Sequence, residues 1–440
     1  MKTMKDLAKL VFMSILTATA TISFTACSSD EDFASTDNGS AQKCATRQQV
    51  QPERTVLVYM AGRNNLTNNE NHVDFLKADL KEIKEGSKKL SDKDCMLVFV
   101  CRYLDDSSTE TPWLARIWRG EVTDSVSVTD MGISKSDARA CDPVVMEQVM
   151  RYAYDKYAAT RDYGLVLWGH ATGWTVEEDS IATKPAAARR RAYGLDNGTD
   201  SKDGKASWIN IHTMADVLKQ VPHLKFIFAD CCNFQCLESL YARRTGADYI
   251  IGSPAEIPDG GAPYVTVVPA MFERDSFYVH IIDRYFERTF GQQRRVPLSA
   301  VKTSAMNAVA VATRDILQTI KDTLSLTPYP NTAKLIHYYY SPLHYDANDF
   351  MLRYAKKEAY DKWKAALDEA VVYKKMATTW MTNVAWYITY TDFEMTEERY
   401  GGVSMFVPQN PTAKSNYGKY NADIRTTAWY YATEMKDLGW

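Results

Sequence analysis

A chain of 440 residues with 45% hydrophobic and 24% charged residues has the composition of a folded protein, which excludes disorder over most of its length. Its 52 Lys and Arg residues against 55 Asp and Glu residues give a net charge of -3, so it lacks the basic excess of proteins that hold nucleic acid by charge. The 8 cysteines are too sparse for a disulfide scaffold, and the length favours two or three structural units.

The N-terminal residues have the pattern of a targeting segment. Two lysines precede an apolar stretch at residues 7–24, which is too short to predict a membrane-spanning helix. Small residues then precede Cys27, as in a lipoprotein signal that is cut before a lipidated cysteine; an ordinary secretory signal is the alternative. We interpret residues 1–26 as a lipoprotein signal peptide and 27–52 as an acidic, polar tether. The acidic run after Cys27 resembles an export tag of bacterial surface lipoproteins, so we expect a lipid anchor in the outer membrane and exposure at the cell surface.

From residue 53 onwards, apolar runs alternate with segments of helical periodicity. In chain order, the pattern predicts a strand at 55–60, a helix at 71–83, a strand at 95–101, a hairpin at 114–122 and 125–131, a helix at 144–157, a strand at 163–169, a helix at 209–221, a strand at 225–229, a helix at 234–244 and a strand at 248–252. Nearly continuous apolar strands separated by amphipathic helices predict an α/β fold with a mainly parallel sheet covered on both faces. We place this three-layer domain at residues 53–300 and a mainly helical, tyrosine-rich region with a late strand (402–407) at 301–440.

The candidate chemistry lies at the ends of two predicted strands. His170 directly follows the third strand, and Cys232 directly follows the fourth. Ligands bind beyond the carboxyl ends of parallel strands, so both side chains are expected to face one crevice. Cysteine catalysis uses this pair, because the imidazole takes the thiol proton and the thiolate attacks a carbonyl carbon.

Neighbouring groups fit the same interpretation. The backbone N–H groups of Ala171 and Cys232 are placed to form an oxyanion hole. A helix that starts near Asn233 is expected to lower the pKa of the Cys232 thiol, so that it reacts as a thiolate well below pH 8.5. Taken singly, a strand-end histidine is often a turn residue and a buried cysteine is usually a small hydrophobe, so their joint placement carries the argument. The cysteines lack paired zinc spacing, so we predict no metal site.

Four segments, in this order along the chain, resemble the clostripain family of cysteine peptidases. They are 55–66 (TVLVYMAGRNNL), 167–174 (LWGHATGW), 228–238 (FADCCNFQCLE) and 249–264 (YIIGSPAEIPDGGAPY), and 400–408 (YGGVSMFVP) resembles a late strand of the family. The resemblance implies a caspase-like fold and a cysteine endopeptidase that acts on peptide or protein substrates.

The resemblance assigns roles to individual residues. His170 matches the catalytic histidine and Cys232 the nucleophile, while Cys231 falls on a variable small residue. Asp230 matches the acidic position of the specificity pocket, which implies cleavage after Arg or Lys, since a buried carboxylate suits a basic side chain. Glu256 and Asp259 are further acidic candidates for this pocket, with solvated loop charges as the alternative for each.

The sequence also departs from the family pattern. Ala171 replaces the glycine that follows the histidine, although the backbone N–H donor survives this change. Arg63 stands where family members commonly have Asp, and residues 233–235 (NFQ) replace the usual run after the nucleophile. The catalytic pair itself, His170 and Cys232, keeps the family pattern.

A long polar loop follows His170 and contains Arg189, Arg190 and Arg191. Long irregular loops are commonly functional. Family members are often matured by self-cleavage here, so the resemblance implies a cut near these arginines, with a solvated basic loop or cleavage by another protease as alternatives.

No cofactor is required by the predicted chemistry, and calcium stays open because some relatives respond to it. Rival functions are a non-catalytic surface lipoprotein that binds peptide or glycan through its aromatic-rich region, and a transpeptidase or amidase with the same dyad.

Overall fold

The computed structural model describes residues 51–67, 73–104, 108–135, 138–175, 193–198, 207–291, 294–323, 329–339, 343–382, 386–388, 393–413 and 417–440. The predicted signal peptide, the lipidation site Cys27 and the basic residues Arg189, Arg190 and Arg191 lie outside this described part of the chain.

The strands and helices of the described residues follow the alternation that the sequence predicts. The strands are β1 (Arg54–Gly62), β2 (Asp94–Arg102), β3 (Trp113–Trp118), β4 (Glu121–Ser127), β5 (Asp162–Gly169), β6 (Tyr193–Asp196), β7 (Ser207–Ile209), β8 (Leu224–Asp230), β9 (Ala247–Gly252), β10 (Leu298–Lys302), β11 (Tyr345–Asp346), β12 (Val371–Lys375), β13 (Trp380–Thr382), β14 (Trp386–Ile388) and β15 (Ser404–Met405). The α-helices are α1 (Phe75–Ser87), α2 (Pro143–Lys156), α3 (Ile211–Leu218), α4 (Leu237–Arg243), α5 (Tyr264–Phe272), α6 (Phe277–Glu287), α7 (Met306–Thr323), α8 (Ala347–Tyr354), α9 (Lys357–Ala370), α10 (Tyr417–Ile424) and α11 (Ala428–Ala432).

Nine of these strands form one mixed sheet in the order β12-β10-β9-β8-β5-β1-β2-β3-β4. The five central strands, from β9 to β2, are parallel, and the outer strands on both sides pair antiparallel. The central strands are almost completely buried, as their continuous apolar sequences predict. This confirms the predicted α/β fold with a mainly parallel sheet.

Helices cover both faces of the sheet. Since side chains alternate along each strand, neighbouring residues pack into opposite cores. On β1, Leu57 and Tyr59 belong to one apolar core with residues of α2, α3, α4 and α7. Val56 and Val58 belong to the other core, with residues of α1, α5 and α6. The sheet therefore lies between two helical layers, which is the predicted three-layer arrangement.

Several predicted boundaries were wrong. α1 begins at Phe75 rather than at residue 71, and the side chain of Asp74 caps it by accepting from the Lys77 N–H at 2.8 Å. The helix predicted to start near Asn233 begins at Leu237, because the intervening residues form a turn. The segment from 207 to 209 is strand β7, so α3 starts only at Ile211.

The C-terminal region is mostly helical, as predicted, but it also contributes strands. β12 is an edge strand of the main sheet, and the late strand is reduced to β15, which pairs with β11. A backbone bridge joins Ser404 to Cys236, which lies four positions after Cys232 in the chain. The C-terminal region is thus tied to the turn that carries the candidate nucleophile, and a domain boundary near residue 300 stays a prediction.

Candidate active site

His170 and Cys232 follow two neighbouring strands of the parallel sheet. β5 ends at Gly169 and β8 ends at Asp230, and the two strands pair through Trp168 and Asp230. Gly169 has φ 134°, and a Cβ atom there would lie 2.8 Å from the Ala61 carbonyl oxygen, so glycine allows β5 to end against β1. The ends of these strands meet at one edge of the sheet, as expected for a ligand crevice.

A cavity of about 470 Å³ lies at this edge. Its lining includes every candidate catalytic and specificity residue of the sequence analysis that the structure describes: His170, Ala171, Asp230, Cys232, Glu256 and Asp259. The remaining wall comes partly from the C-terminal region, through residues such as Tyr339, His344, Met381 and Tyr420. A cavity of this volume has the size of a ligand pocket.

His170 is held by a residue that the sequence analysis missed. Its Nε2 atom lies 2.7 Å from Oδ1 of Asn65, which is in the loop after β1. Burial lowers the pKa of His170 to about 4, so the imidazole is neutral at neutral pH. A neutral imidazole is able to accept a proton from a thiol.

The Cys232 sulfur lies against the backbone of Ile257. The Ile257 N–H donates to Sγ at 3.3 Å, and Sγ lies 3.8 Å from the Ile257 carbonyl oxygen. Burial raises the pKa of this thiol to about 12, with further contributions from the negative charges of Glu256, Asp259 and Asp230. The N–H of Ile257 acts in the opposite direction, because it donates to the sulfur and favours the thiolate.

This direction contradicts the lowered thiol pKa expected from the sequence. The helix that was expected to start near Asn233 begins only at Leu237, so its N-terminus lies farther along the chain from Cys232. Burial and the charges of three carboxyl groups raise the pKa of the thiol instead. The structure therefore describes a neutral thiol and a neutral imidazole that line the same cavity.

We predict that Cys232 reacts slowly with iodoacetamide at neutral pH. Because its pKa is raised, the thiolate fraction is small and the rate should rise about tenfold per pH unit between pH 7 and 9. Mass spectrometry of the Cys232 peptide measures this rate, and Cys232→Ala gives the background from the other cysteines. A rate that levels off below pH 8 would show a preformed thiolate.

The turn after Cys232 is fixed from two directions. Asn233 has φ 53°, an unusual conformation for a residue other than glycine, and its N–H donates to the Ala255 carbonyl oxygen at 2.9 Å. Gln235 is fully buried and its side-chain amide donates to the Ser299 carbonyl oxygen at 2.9 Å. The residues that depart from the family pattern thus act as anchors of the turn.

Asp230 lies buried at the cavity and accepts three hydrogen bonds. The N–H of Ala262 and the hydroxyl of Tyr264 donate to Oδ2 at 3.0 and 2.9 Å, and the hydroxyl of Tyr285 donates to Oδ1 at 2.9 Å. Burial raises the pKa of Asp230, although these donors and the charge of Arg288 oppose the rise. A cation beside this carboxylate would restore its ionised form.

The other two acids occupy different environments. Glu256 is buried and its backbone pairs with Met381. Asp259 is exposed at the cavity rim, and partial burial raises its pKa. Together with Asp230 they give the cavity an excess of acidic groups.

The segment after the basic loop contacts the backbone at His170. The Gly194 N–H donates to the His170 carbonyl oxygen at 2.9 Å. Tyr193 is fully buried, and its hydroxyl shares its one hydrogen between the carbonyl oxygens of Tyr59 and Trp168, at 2.8 and 3.0 Å. This hairpin of β6 and β7 was missed by the sequence analysis, which interpreted the whole segment as irregular.

Arg63 is also fully buried and donates to the Ala138 carbonyl oxygen at 2.9 Å. Its neighbour Asn65 is the residue of this loop that reaches His170.

Among the described residues, no group of three or more His, Cys, Asp or Glu side chains is arranged to hold a metal ion. We also find among them no helix with the length and apolar character needed to cross a bilayer.

Comparison with known proteins places the chain in a defined class. A model of the clostripain family matches residues 58–440. A secreted C11 cysteine protease from Bacteroides thetaiotaomicron, solved in complex with an irreversible peptide inhibitor, is 26% identical, with a TM-score of 0.67 over 88% of this chain and 99% of that chain. An inactive zymogen C11 protease from Parabacteroides distasonis is 24% identical, with a TM-score of 0.66 over 87% and 99%. No curated protein matches the chain.

The three-layer fold and these matches define a cysteine peptidase with a caspase-like fold. Within that class, the chain belongs to the clostripain family. The resemblance drawn from the four sequence segments is confirmed.

Proposed function

We propose that the protein is a cysteine endopeptidase in which Cys232 is the nucleophile and His170 is general base and then general acid. The observation that carries this proposal is that both residues follow adjacent parallel strands and line one cavity. His170 takes the thiol proton as sulfur attacks the substrate carbonyl carbon, and it returns a proton to the leaving amine when the peptide bond breaks. Water then hydrolyses the thioester.

The oxyanion of the tetrahedral intermediate is assigned to backbone donors. Ala171 and Cys232 both line the cavity, and their N–H groups lie on the two strand ends that carry the dyad. Backbone donors cost no reorganisation during the reaction, which suits a charge that forms only in the transition state. Ala171 serves as well as glycine here, since only its N–H is required.

We assign the preference for Arg or Lys to Asp230, with Glu256 and Asp259 as supporting acids. Asp230 is buried, lines the cavity and belongs to the same strand end as the nucleophile. A basic side chain that pairs with it would replace the hydration that the carboxylate has lost. The Cys232 thiol would also ionise more readily, because a cation in this position offsets the carboxylate charges that raise its pKa.

Self-processing near Arg189, Arg190 and Arg191 is a further part of the proposal, and these residues lie outside the described part of the chain. The support comes from Tyr193, which lies two positions after Arg191 in the sequence. Tyr193 is a buried anchor, so a chain cut before it would keep its new end packed at the sheet. We propose two chains that stay together after the cut.

We also propose that Cys27 carries a lipid that anchors the protein in the outer membrane, with the catalytic part at the cell surface. The substrate is a peptide or protein. The proposed chemistry needs no cofactor, and calcium is treated as an optional effector.

The test is a peptide series varied at the residue on the acyl side of the bond, with and without calcium. We expect cleavage after Arg and Lys to exceed cleavage after neutral residues by at least about 100-fold, because a neutral side chain leaves the buried carboxylate unpaired. Intact mass of the protein from bacterial membranes reports a lipid on Cys27 and a split near Arg191. Cleavage after neutral residues alone would contradict the basic preference, and absence of all turnover would contradict the peptidase.

A further inference from the structure

Asn65 is exposed at the cavity between buried neighbours in the loop that follows β1. The Oδ1 atom of its side chain lies 2.7 Å from Nε2 of His170. An amide oxygen only accepts, so this contact is a hydrogen bond in the His170 tautomer that carries its hydrogen on Nε2. In a neutral imidazole the other ring nitrogen, Nδ1, is then the free base.

The loop beneath Asn65 is fixed by its neighbour Asn64, which is 1% exposed. The Asn64 side-chain amide donates to the carbonyl oxygens of Ala61 and Leu195 at 2.9 Å each, and its oxygen accepts from the Leu66 N–H at 2.9 Å. Asn65 thus extends from a rigid turn, and its own side chain contacts the ring of His170. A side chain held in this way fixes the position of its partner at low cost in conformational entropy.

We propose that Asn65 is a positioning residue for His170, so that the site works as a Cys232–His170–Asn65 triad. This rests on the proposed peptidase function. Asn65 keeps the hydrogen on Nε2, and Nδ1 takes the proton of the Cys232 thiol while the sulfur–carbon bond forms. The ring then holds a hydrogen on each nitrogen, and Asn65 accepts from Nε2–H throughout. When the carbon–nitrogen bond breaks, the Nδ1 proton passes to the leaving amine, and the ring is neutral again.

A neutral amide suits this histidine. Burial already lowers the pKa of His170 to about 4, so the resting ring is neutral. A carboxylate in place of Asn65 would favour the protonated ring instead, so the base would be lost at a higher pH than in wild type. The amide orients the ring without adding charge.

The experiment compares wild type with Asn65→Ala, Asn65→Asp and the control Asn307→Ala. Asn307 is an exposed asparagine whose Oδ1 accepts from Arg244 at 2.7 Å, and it is not part of the cavity lining. We expect Asn65→Ala to lower kcat about 10- to 100-fold with KM nearly unchanged, because the ring loses its orientation. Asn65→Asp should recover part of the rate and move the acidic limb of the kcat/KM profile about one unit higher in pH. Asn307→Ala should behave as wild type.

A second measurement does not depend on turnover. ¹⁵N spectra of the 7 histidines, assigned with a His170→Gln variant, should show His170 with its hydrogen on Nε2 in wild type and a mixture of tautomers in Asn65→Ala. A wild-type ring with its hydrogen on Nδ1, or an Asn65→Ala enzyme with unchanged kcat and pH profile, would overturn the triad. If peptides are not cleaved at all, the peptidase proposal fails and the tautomer measurement still decides the role of Asn65.

Discussion

Replacing Cys232 with alanine is expected to reduce turnover of basic peptides by a factor on the order of 10⁴ or more, because alanine has no nucleophile to form the thioester. The folded state should survive the change. Cys232 is only partly buried, and the turn that carries it is fixed by Asn233, Gln235 and their backbone partners. Steady-state rates together with thermal unfolding of the same preparations separate loss of chemistry from loss of fold.

Cys231 provides the matched control, because it is the adjacent residue in the chain with the same side chain. It is 2% exposed, it packs in the core with Tyr193 and Ala229, and burial raises the pKa of its thiol. Cys231→Ala should therefore keep activity within a few-fold of wild type and lose some stability through a small cavity. An inactive Cys231→Ala beside an active Cys232→Ala would reverse the assignment of the nucleophile.

An irreversible peptide inhibitor with a terminal Arg extends the same test. The adduct should map to Cys232 in wild type and disappear in Cys232→Ala. It should persist in Cys231→Ala, since the neighbouring thiol points into the core.

The central strands were predictable because their own sequences determine them. β1, β2, β5, β8 and β9 are continuous apolar runs, and each observed strand lies within two residues of the predicted one. Helix starts were less predictable. Periodicity does not distinguish a helical turn from the loop before it, as at Asp74 before α1 and at Cys236 before α4.

The candidate site was predictable only where a candidate residue adjoins a strand end. His170 and Cys232 do so, and their strands are neighbours in the sheet. Tyr264 and Tyr285 contact Asp230 from 34 and 55 positions away in sequence, so no local pattern indicates them. The place of Asn65 could also have been inferred from the sequence, because polar residues after the first strand lie at the same sheet edge as His170. The raised pKa of the Cys232 thiol depends on burial and on three carboxyl groups that only the folded chain brings together.

Replacing Asp230 with asparagine is expected to reduce kcat/KM for Arg peptides by roughly 10²- to 10³-fold, because a buried cation then lacks its counter-charge. Asparagine has the same shape, and the Tyr264 and Tyr285 hydroxyls are able to accept as well as donate, so the pocket should stay folded. Peptides with citrulline in place of Arg should be nearly unaffected. In wild type, binding of Arg peptides should strengthen as pH rises, since the raised pKa of Asp230 leaves more of the carboxyl protonated at low pH.

Variants of the other two acids test whether Asp230 is the main residue that recognises the basic side chain. Asp259 is exposed at the rim, where solvent screens its charge, so Asp259→Asn should change the Arg preference by only a few-fold. Glu256→Gln should fall between the two, because Glu256 is buried but adjoins Ile257 rather than the floor at Asp230. The ratio of Arg to citrulline kcat/KM, measured for the three variants, reports charge recognition alone. A larger loss in Asp259→Asn than in Asp230→Asn would move the recognition of the basic side chain from the buried floor of the cavity to its rim.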